Sequence, residues 1–209
     1  MQAAKHTKRE YLRLKFNTQI FETLLHKQKS VEAFSVENLG IDIGNPEAKN
    51  TIIKVCNPYC GPCAKAHPKI EKLLEENNNI KAKIIFTATT DEKDVRNQPT
   101  KHLLAIAEKN NEQLTKQALD DWYLADKKDY DVFAQKYPMN GELEKQENKI
   151  ANMEKWCKEA DIQFTPTIFI SHTSPVGEIK FYQLPDAYGI EDLNYFFLDD
   201  SSTKETQES

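Results

Sequence analysis

Two cysteines, Cys60 and Cys63, lie where a predicted strand gives way to a predicted helix. The apolar run of residues 51–55 has the composition of a buried strand, and residues 64–76 have helical spacing. The first turn of a helix has unpaired backbone N–H groups and partial positive charge, which stabilise a thiolate. This junction predicts Cys60 as an exposed nucleophile with a lowered pKa. Cys63, in the first turn, is then the resolving thiol, and the predicted chemistry is thiol–disulfide exchange.

The size and charge of the chain exclude several other classes. Its 209 residues, with a formal net charge of −5, are enough to bury a core, so its four cysteines are too few to be a structural framework. The chain has no dense stripe of Lys and Arg, which argues against nucleic acid as a partner. The sequence contains no window of about 18 apolar residues, which is the length that a helix needs to span a bilayer.

The amino terminus is polar and lacks the apolar core of a signal peptide. Taken as complete, the chain is predicted to be cytoplasmic. Taken as a piece of a longer protein, it would receive its export signal or membrane anchor from the missing part. Composition does not choose between the two.

Hydrophobic periodicity predicts an α/β fold with a central mixed sheet flanked by helices. We expect a short helix capped by Asn17, a last helix at 190–198, and strands at 40–44, 51–55, 81–87, 167–170 and 178–182. The first two strands are interpreted as a hairpin or as neighbours, and the last two as a closing hairpin. A block at 98–158 predicts three or four helices. The predicted division is a helical extension at 1–38, the main domain at 39–197 and a disordered tail at 198–209.

The motif Cys60-Gly61-Pro62-Cys63 resembles the active site of the thioredoxin superfamily. Pro68 inside the following helix and Thr165-Pro166 before a strand are similar to two further features of that superfamily. The helical block resembles that of the DsbA-like branch. The resemblance implies a thioredoxin-like fold with a DsbA-like helical insertion between the third strand and the strand after a cis proline.

The same resemblance implies roles for individual residues. Thr165 and the cis Pro166 would hold an extended substrate chain beside the active-site disulfide. Tyr59 occupies the position of an exposed aromatic residue that helps to dock substrates. The cofactor would be the Cys60–Cys63 disulfide itself, with none added, no metal, and protein thiols and disulfides as substrates.

One group within the superfamily is more similar still. The segment 55–68, with Gln183-Leu184-Pro185 and residues 190–193, resembles the thioredoxin-like domain that is fused to bacterial vitamin K epoxide reductase proteins. This resemblance implies a membrane partner that reoxidises the domain with a quinone. It also implies a periplasmic or extracytoplasmic location, as part of a longer membrane-anchored protein, and a function in oxidative protein folding.

The sequence departs from the superfamily at Lys54, where a buried acid usually assists proton transfer from the second cysteine. A lysine there would instead favour a thiolate electrostatically. The dipeptide Gly61-Pro62 is that of thioredoxin and favours reducing behaviour, whereas the helical insertion favours oxidising behaviour. Lys54, Gly61 and Pro62 are therefore candidates for tuning the redox potential, whose value the sequence does not fix.

Cys56 and Cys157 allow several interpretations. Cys157 shares a helical face with apolar residues, so it is either an inert buried thiol or the partner of Cys56 in a second disulfide. The spacing of Cys56, Cys60 and Cys63 also matches radical S-adenosylmethionine iron–sulfur enzymes, which need a larger β/α barrel. Structural zinc is disfavoured because Cys157 is solitary.

Two functions are consistent with these observations. The first is a protein disulfide oxidoreductase, and the second is a non-catalytic, chaperone-like peptide-binding module of the same fold. Substitution of Cys60 by serine would abolish disulfide exchange in the first case and leave binding intact in the second. The second cysteine of the motif favours the enzyme, because a binding groove has no use for it.

Overall fold

A six-stranded mixed sheet forms the centre of the protein in the computed structural model, which describes residues 2–197. The predicted tail at 198–209 lies outside the described residues. The sheet order is β1-β6-β5-β3-β4-β2, in which only β3 and β4 are parallel neighbours. The strands are β1 (Ser30–Glu32), β2 (Ile41–Gly44), β3 (Asn50–Cys56), β4 (Ile80–Phe86), β5 (Thr167–Thr173) and β6 (Ile179–Gln183).

Seven α-helices among the described residues flank this sheet. They are α1 (Gln2–Lys15), α2 (Thr18–Leu25), α3 (Gly61–Glu76), α4 (Asn97–Ala107), α5 (Glu112–Tyr123), α6 (Tyr130–Lys136) and α7 (Glu147–Glu159). The last predicted helix is a 3-10 helix at Ile190–Tyr195, which packs beside α3. The predicted cap of α2 is confirmed, because the Asn17 side chain accepts a hydrogen bond from the backbone N–H of Ile20.

Alternation along β3 assigns each side chain to one face of the sheet. The Nζ of Lys54 donates to the carbonyl oxygen of Cys63 in α3, so Lys54 and Cys56 point to the α3 face. Ile53 pairs with Phe169, whose ring packs against Trp156 of α7. The α7 helix therefore covers the opposite face, and β3 is buried between two helical layers.

The predicted pairing of the first two strands is wrong. Strand β2 pairs with β4, which separates it from β3. The turn into β2 explains the placement, because Gly40 adopts a φ of +66° and a Cβ atom there would lie 2.0 Å from the carbonyl oxygen of Ile84. Only glycine allows β2 to approach β4 this closely. The predicted closing hairpin of β5 and β6 is confirmed.

The amino-terminal extension contains a strand in addition to helices. Helix α1 precedes α2, and β1 adds an edge strand against β6. Phe21 and Leu25 of α2 are fully buried, and Phe21 stacks on Phe196 near the carboxyl end of the described chain. The extension is thus partly a strand, and it contributes to the hydrophobic core.

The helical insertion is confirmed as four helices, α4 to α7, between β4 and β5. Because β1 went undetected in the sequence, the strand before the insertion is the fourth and not the third. Among residues 2–197, no helix is both long enough and apolar enough to cross a membrane.

Candidate active site

Cys60 occupies the N-cap of α3, directly after the turn that follows β3. Its Sγ accepts a hydrogen bond from the backbone N–H of Cys63 at 3.3 Å. On its other side the thiol donates to the carbonyl oxygen of Thr165 at 3.4 Å. Cys60 is partly exposed, and the two residues that follow it, Gly61 and Pro62, are exposed. A substrate sulfur can therefore reach Cys60 from solvent.

Cys63 is in the first turn of α3 and is 0% exposed. All four cysteines are free thiols in this structure. A substrate cannot approach Cys63 directly. Cys63 can react only with a sulfur already held at Cys60, as the predicted resolving role requires.

The ionisation of Cys60 differs from the expectation. Burial is the largest cause of a raised pKa of the Cys60 thiol, and the N–H of Cys63 opposes this only in part. The predicted lowering of this pKa is wrong for the reduced protein. The pKa of Cys63 is raised much further, by its hydrogen bond to Cys56 and by burial. The order of the two pKa values still makes Cys60 the thiol that ionises first.

The Thr165-Pro166 peptide bond is cis, as the resemblance implied, and both residues are partly exposed beside Cys60. The carbonyl oxygen of Thr165 is 3.4 Å from the nucleophile, so the two segments meet although 105 residues separate them. The backbone here is placed to meet a chain that is joined to Cys60.

Three buried side chains lie behind the resolving thiol of Cys63, and together with it they form a group that we name the inner cluster: Lys54, Cys56, Cys63 and Tyr123. The Nζ of Lys54 is 3.4 Å from the carbonyl oxygen of Cys63 and 4.2 Å from the centre of the Tyr123 ring. The Sγ of Cys56 is 2.8 Å from the hydroxyl oxygen of Tyr123. Lys54 therefore lies close to the active-site thiols, as its position in the sequence predicts.

The second disulfide of Cys56 with Cys157 stays a prediction, and this structure holds both as free thiols. Cys56 points to the α3 face of the sheet, whereas Cys157 belongs to α7 on the other face, with its Sγ 4.0 Å from the carbonyl oxygen of Phe86. Burial raises the pKa of Cys157 to about 12. The raised pKa agrees with the alternative interpretation of an inert thiol, although Cys157 is partly exposed and not fully buried.

The iron–sulfur interpretation required a β/α barrel, and the protein has an open mixed sheet. Within residues 2–197, the side chains that come together as a group of three metal-ligand types are His67, Glu71 and Asp120. The Nε2 of His67 is 2.8 Å from Asp120 and 3.6 Å from Glu71. The contact with Asp120 joins α3 to α5, whereas that with Glu71 lies within α3.

Sequence reasoning missed the contribution of the insertion to this site. Trp122 of α5 donates its Nε1–H to the carbonyl oxygen of Pro58 at 2.8 Å, and the Tyr59 ring meets the Trp122 ring edge-on at 5.4 Å. Tyr59 itself is 38% exposed, consistent with the docking role that the resemblance implied. Trp122 and Tyr123 are both buried in the core, and Trp122 in addition supports the active-site turn. Only the tertiary contact reveals it.

The thioredoxin family model matches residues 37–185 of the chain. Three solved structures have a similar fold, and each is 14–16% identical in sequence. The catalytic domain of Proteus mirabilis ScsC, at 16% identity, gives a TM-score of 0.55 over 77% of this chain and 89% of that chain. A periplasmic thioredoxin-like protein from Salmonella enterica serovar Typhimurium, at 15% identity, gives 0.60 over 78% and 94%. Pseudomonas aeruginosa DsbA2, at 14% identity, gives 0.54 over 80% and 96%. No curated protein sequence matches the chain.

Proposed function

We propose, from the premise that this chain belongs to the thioredoxin family, that it is a thiol–disulfide oxidoreductase acting on protein substrates. The observation that carries the proposal is the geometry of Cys60. Its partly exposed Sγ lies between the N–H of Cys63 and the carbonyl of Thr165, directly in front of a buried second thiol.

In the first step, the Cys60 thiolate attacks one sulfur of a substrate disulfide. A Cys60–substrate bond forms, the substrate S–S bond breaks, and the other substrate sulfur leaves as a thiolate. The N–H of Cys63 stabilises the attacking sulfur, since it already donates to Sγ.

In the second step, Cys63 attacks the Sγ of Cys60. The Cys60–Cys63 disulfide forms, the bond to the substrate breaks, and the second substrate sulfur leaves with the electron pair. The reverse sequence donates the disulfide to a substrate dithiol. Thr165, Pro166 and Tyr59 surround the position that the substrate chain occupies while it is attached.

A trapping experiment tests this assignment. Cys63→Ser is expected to accumulate a mixed disulfide between Cys60 and a protein disulfide substrate such as insulin, seen as a mass increase that dithiothreitol reverses. Cys60→Ser, the matched control, is expected to trap nothing. If Cys63→Ser forms no adduct, the oxidoreductase assignment is overturned, and a peptide-binding module without turnover takes its place.

We further propose that the physiological direction is oxidation in an extracytoplasmic compartment, with a quinone-reducing membrane partner of the vitamin K epoxide reductase type. The support is the resemblance of residues 55–68 to the domain fused to such proteins, together with solved relatives of which one is described as periplasmic. Equilibration of the Cys60–Cys63 pair with a glutathione series measures the potential. A reduction potential of about −120 mV supports an oxidant, and one of about −270 mV overturns the oxidative role.

A further inference from the structure

The second step of the proposed reaction needs an acceptor for the proton of Cys63. Cys63 is 0% exposed, so bulk water does not reach its thiol. Cys60, the other active-site sulfur, is by then bonded to the substrate and has no free valence. The substrate sulfur leaves only as Cys63 attacks, so a base that ionises Cys63 beforehand has to be another group inside the protein.

Cys56 is the sulfur on the inner side of Cys63. It is the last residue of β3, is 0% exposed, and points to the face of the sheet that α3, the helix of Cys63, covers. The Tyr123 hydroxyl is 2.8 Å from its Sγ on the other side. A thiolate at Cys56 would accept a hydrogen bond from the Tyr123 hydroxyl.

The charge of the inner cluster favours a thiolate. Lys54 is 0% exposed, and its Nζ contacts a carbonyl oxygen and the face of the Tyr123 ring and forms no ion pair with a carboxylate of the described residues. A buried ammonium without an anion is costly. The acidic groups around it are Cys56, Cys63 and Tyr123, and a thiolate at Cys56 supplies the missing negative charge.

Resting on the proposed function, we propose that Cys56 is a catalytic residue that takes the proton of Cys63 in the second step, and that Lys54 is the positioning residue that keeps Cys56 ionised. The proton moves from Cys63 Sγ to Cys56 Sγ. The sulfur of Cys63 bonds to Cys60 Sγ, the Cys60–substrate bond breaks, and the electron pair leaves with the substrate thiolate. In the reverse direction, Cys56 returns the proton to Cys63.

The ionisation of the surrounding groups agrees with this assignment. Burial acts to raise the pKa of Cys56, but the hydrogen bond from Cys63, the charge of Lys54 and the hydrogen bond from Tyr123 outweigh it and lower the pKa. The hydrogen bond to Cys56 raises the pKa of Cys63. The groups facing Cys56 are Lys54 on its own strand, Cys60 and Cys63 on α3, and Tyr123 on α5, and Cys60 acts weakly in the opposite sense.

Single-turnover kinetics with the aromatic disulfide 5,5′-dithiobis(2-nitrobenzoate) separate the two steps. The first phase of coloured thiolate release reports attack by Cys60, and the second reports resolution by Cys63. In Cys56→Ser, we expect an unchanged first phase and a second phase slowed on the order of 100-fold at pH 7. The second rate should then rise with hydroxide concentration, because Cys63 must ionise unaided.

Two further variants complete the kinetic test. Cys157→Ser, the matched control on the other face of the sheet, should leave both phases unchanged. Cys56→Asp restores an ionised base and should recover part of the second rate. If Cys56→Ser shows the second phase and pH profile of the parent protein, the inference is overturned and the proposed function stands. If the parent protein shows no first phase, the proposed function itself fails.

A spectroscopic measurement keeps the test independent of turnover. In Cys60→Ser/Cys157→Ser only Cys56 and Cys63 titrate as thiols, and they share one proton. We expect one equivalent of thiolate ultraviolet absorbance well below pH 8.5, the ordinary range for a free thiol. Adding Lys54→Met should remove it. If no thiolate forms below that pH while Lys54 is present, Cys56 is not the base.

Discussion

The two sides of the active-site disulfide differ in every physical respect. On the outer side, Cys60 is reached by solvent and surrounded by exposed Gly61 and Pro62. On the inner side, Cys63 is buried together with Lys54, Cys56 and Tyr123. Substrate exchange and proton handling are thus separated across a distance of one helical turn. We therefore expect loss of the outer nucleophile to change activity with little effect on stability, whereas substitutions on the inner side should change stability and proton transfer as well.

The largest expected effect is on the outer side. Cys60→Ser removes the nucleophile, and we expect reduction of protein disulfides to fall by at least about 1,000-fold. Because Cys60 is partly exposed, the free energy of unfolding should change by no more than about 0.5 kcal/mol. Insulin reduction and urea unfolding measure the two quantities. Retained turnover, or a large loss of stability, would break the separation between the two sides.

The second-largest effect is on the pH dependence of stability, through His67 and Glu71 of α3. Burial and the charge of Lys54 lower the pKa of His67 to about 4, and burial and Asp120 raise the pKa of Glu71 to about 7. Below pH 6.5 the unfolded chain protonates its histidine and the folded protein does not, so His67 costs stability as the pH falls toward 4. Glu71 acts in the opposite sense, because the folded protein binds its proton first.

Glu71→Gln removes this compensation. We expect its free energy of unfolding to fall by about 3 kcal/mol between pH 6.5 and pH 4, while that of the parent protein falls much less. Urea unfolding at a series of pH values measures the effect. Glu92→Gln, at an exposed position, is the matched control. Parallel pH profiles for Glu71→Gln and the parent would show that the two groups are not opposed.

The third prediction tests the support that α5 gives to the active-site turn. Trp122→Phe removes the donor to the buried carbonyl of Pro58, and leaving that oxygen unpaired should cost about 1–3 kcal/mol. Trp156→Phe is the matched control, since Trp156 donates to the Ser35 hydroxyl, which is only partly buried. Urea unfolding should show the larger loss for Trp122→Phe. Equal losses would mean that the Pro58 contact contributes nothing special to the turn.

The outer side could be predicted from the sequence because a local motif encodes it. Cys60, Cys63 and Pro62 are neighbours in the chain, and the strand-to-helix pattern around them fixes their orientation. Thr165 and Pro166 required the family resemblance, because periodicity does not show that a loop 105 residues away returns to the nucleophile.

The inner side could be predicted only in part. Lys54 was identified as unusual, but its neighbour Tyr123 comes from the insertion, 67 residues after Cys56, and no local pattern links the two. The same limit explains the incorrect pairing of β2 with β3, since strand order depends on contacts distant in sequence. The raised pKa of Cys60 depends on burial that the motif does not encode.

The smallest expected effect is at Gly61, on the outer side. No heavy atom lies within 4 Å of where its Cβ would be, so the backbone there does not need glycine. Gly61→Ala should raise the free energy of unfolding by about 0.4–1 kcal/mol, because it reduces the freedom of the unfolded chain. Gly40→Ala, the matched control, should destabilise, since its Cβ would meet the Ile84 carbonyl. The same Gly61→Ala variant also tests whether Gly61 keeps Cys60 accessible to substrates. If it does, the variant should reduce insulin severalfold more slowly and react at the normal rate with a small disulfide. Equal rates for both substrates would show that access to the outer side does not depend on this residue.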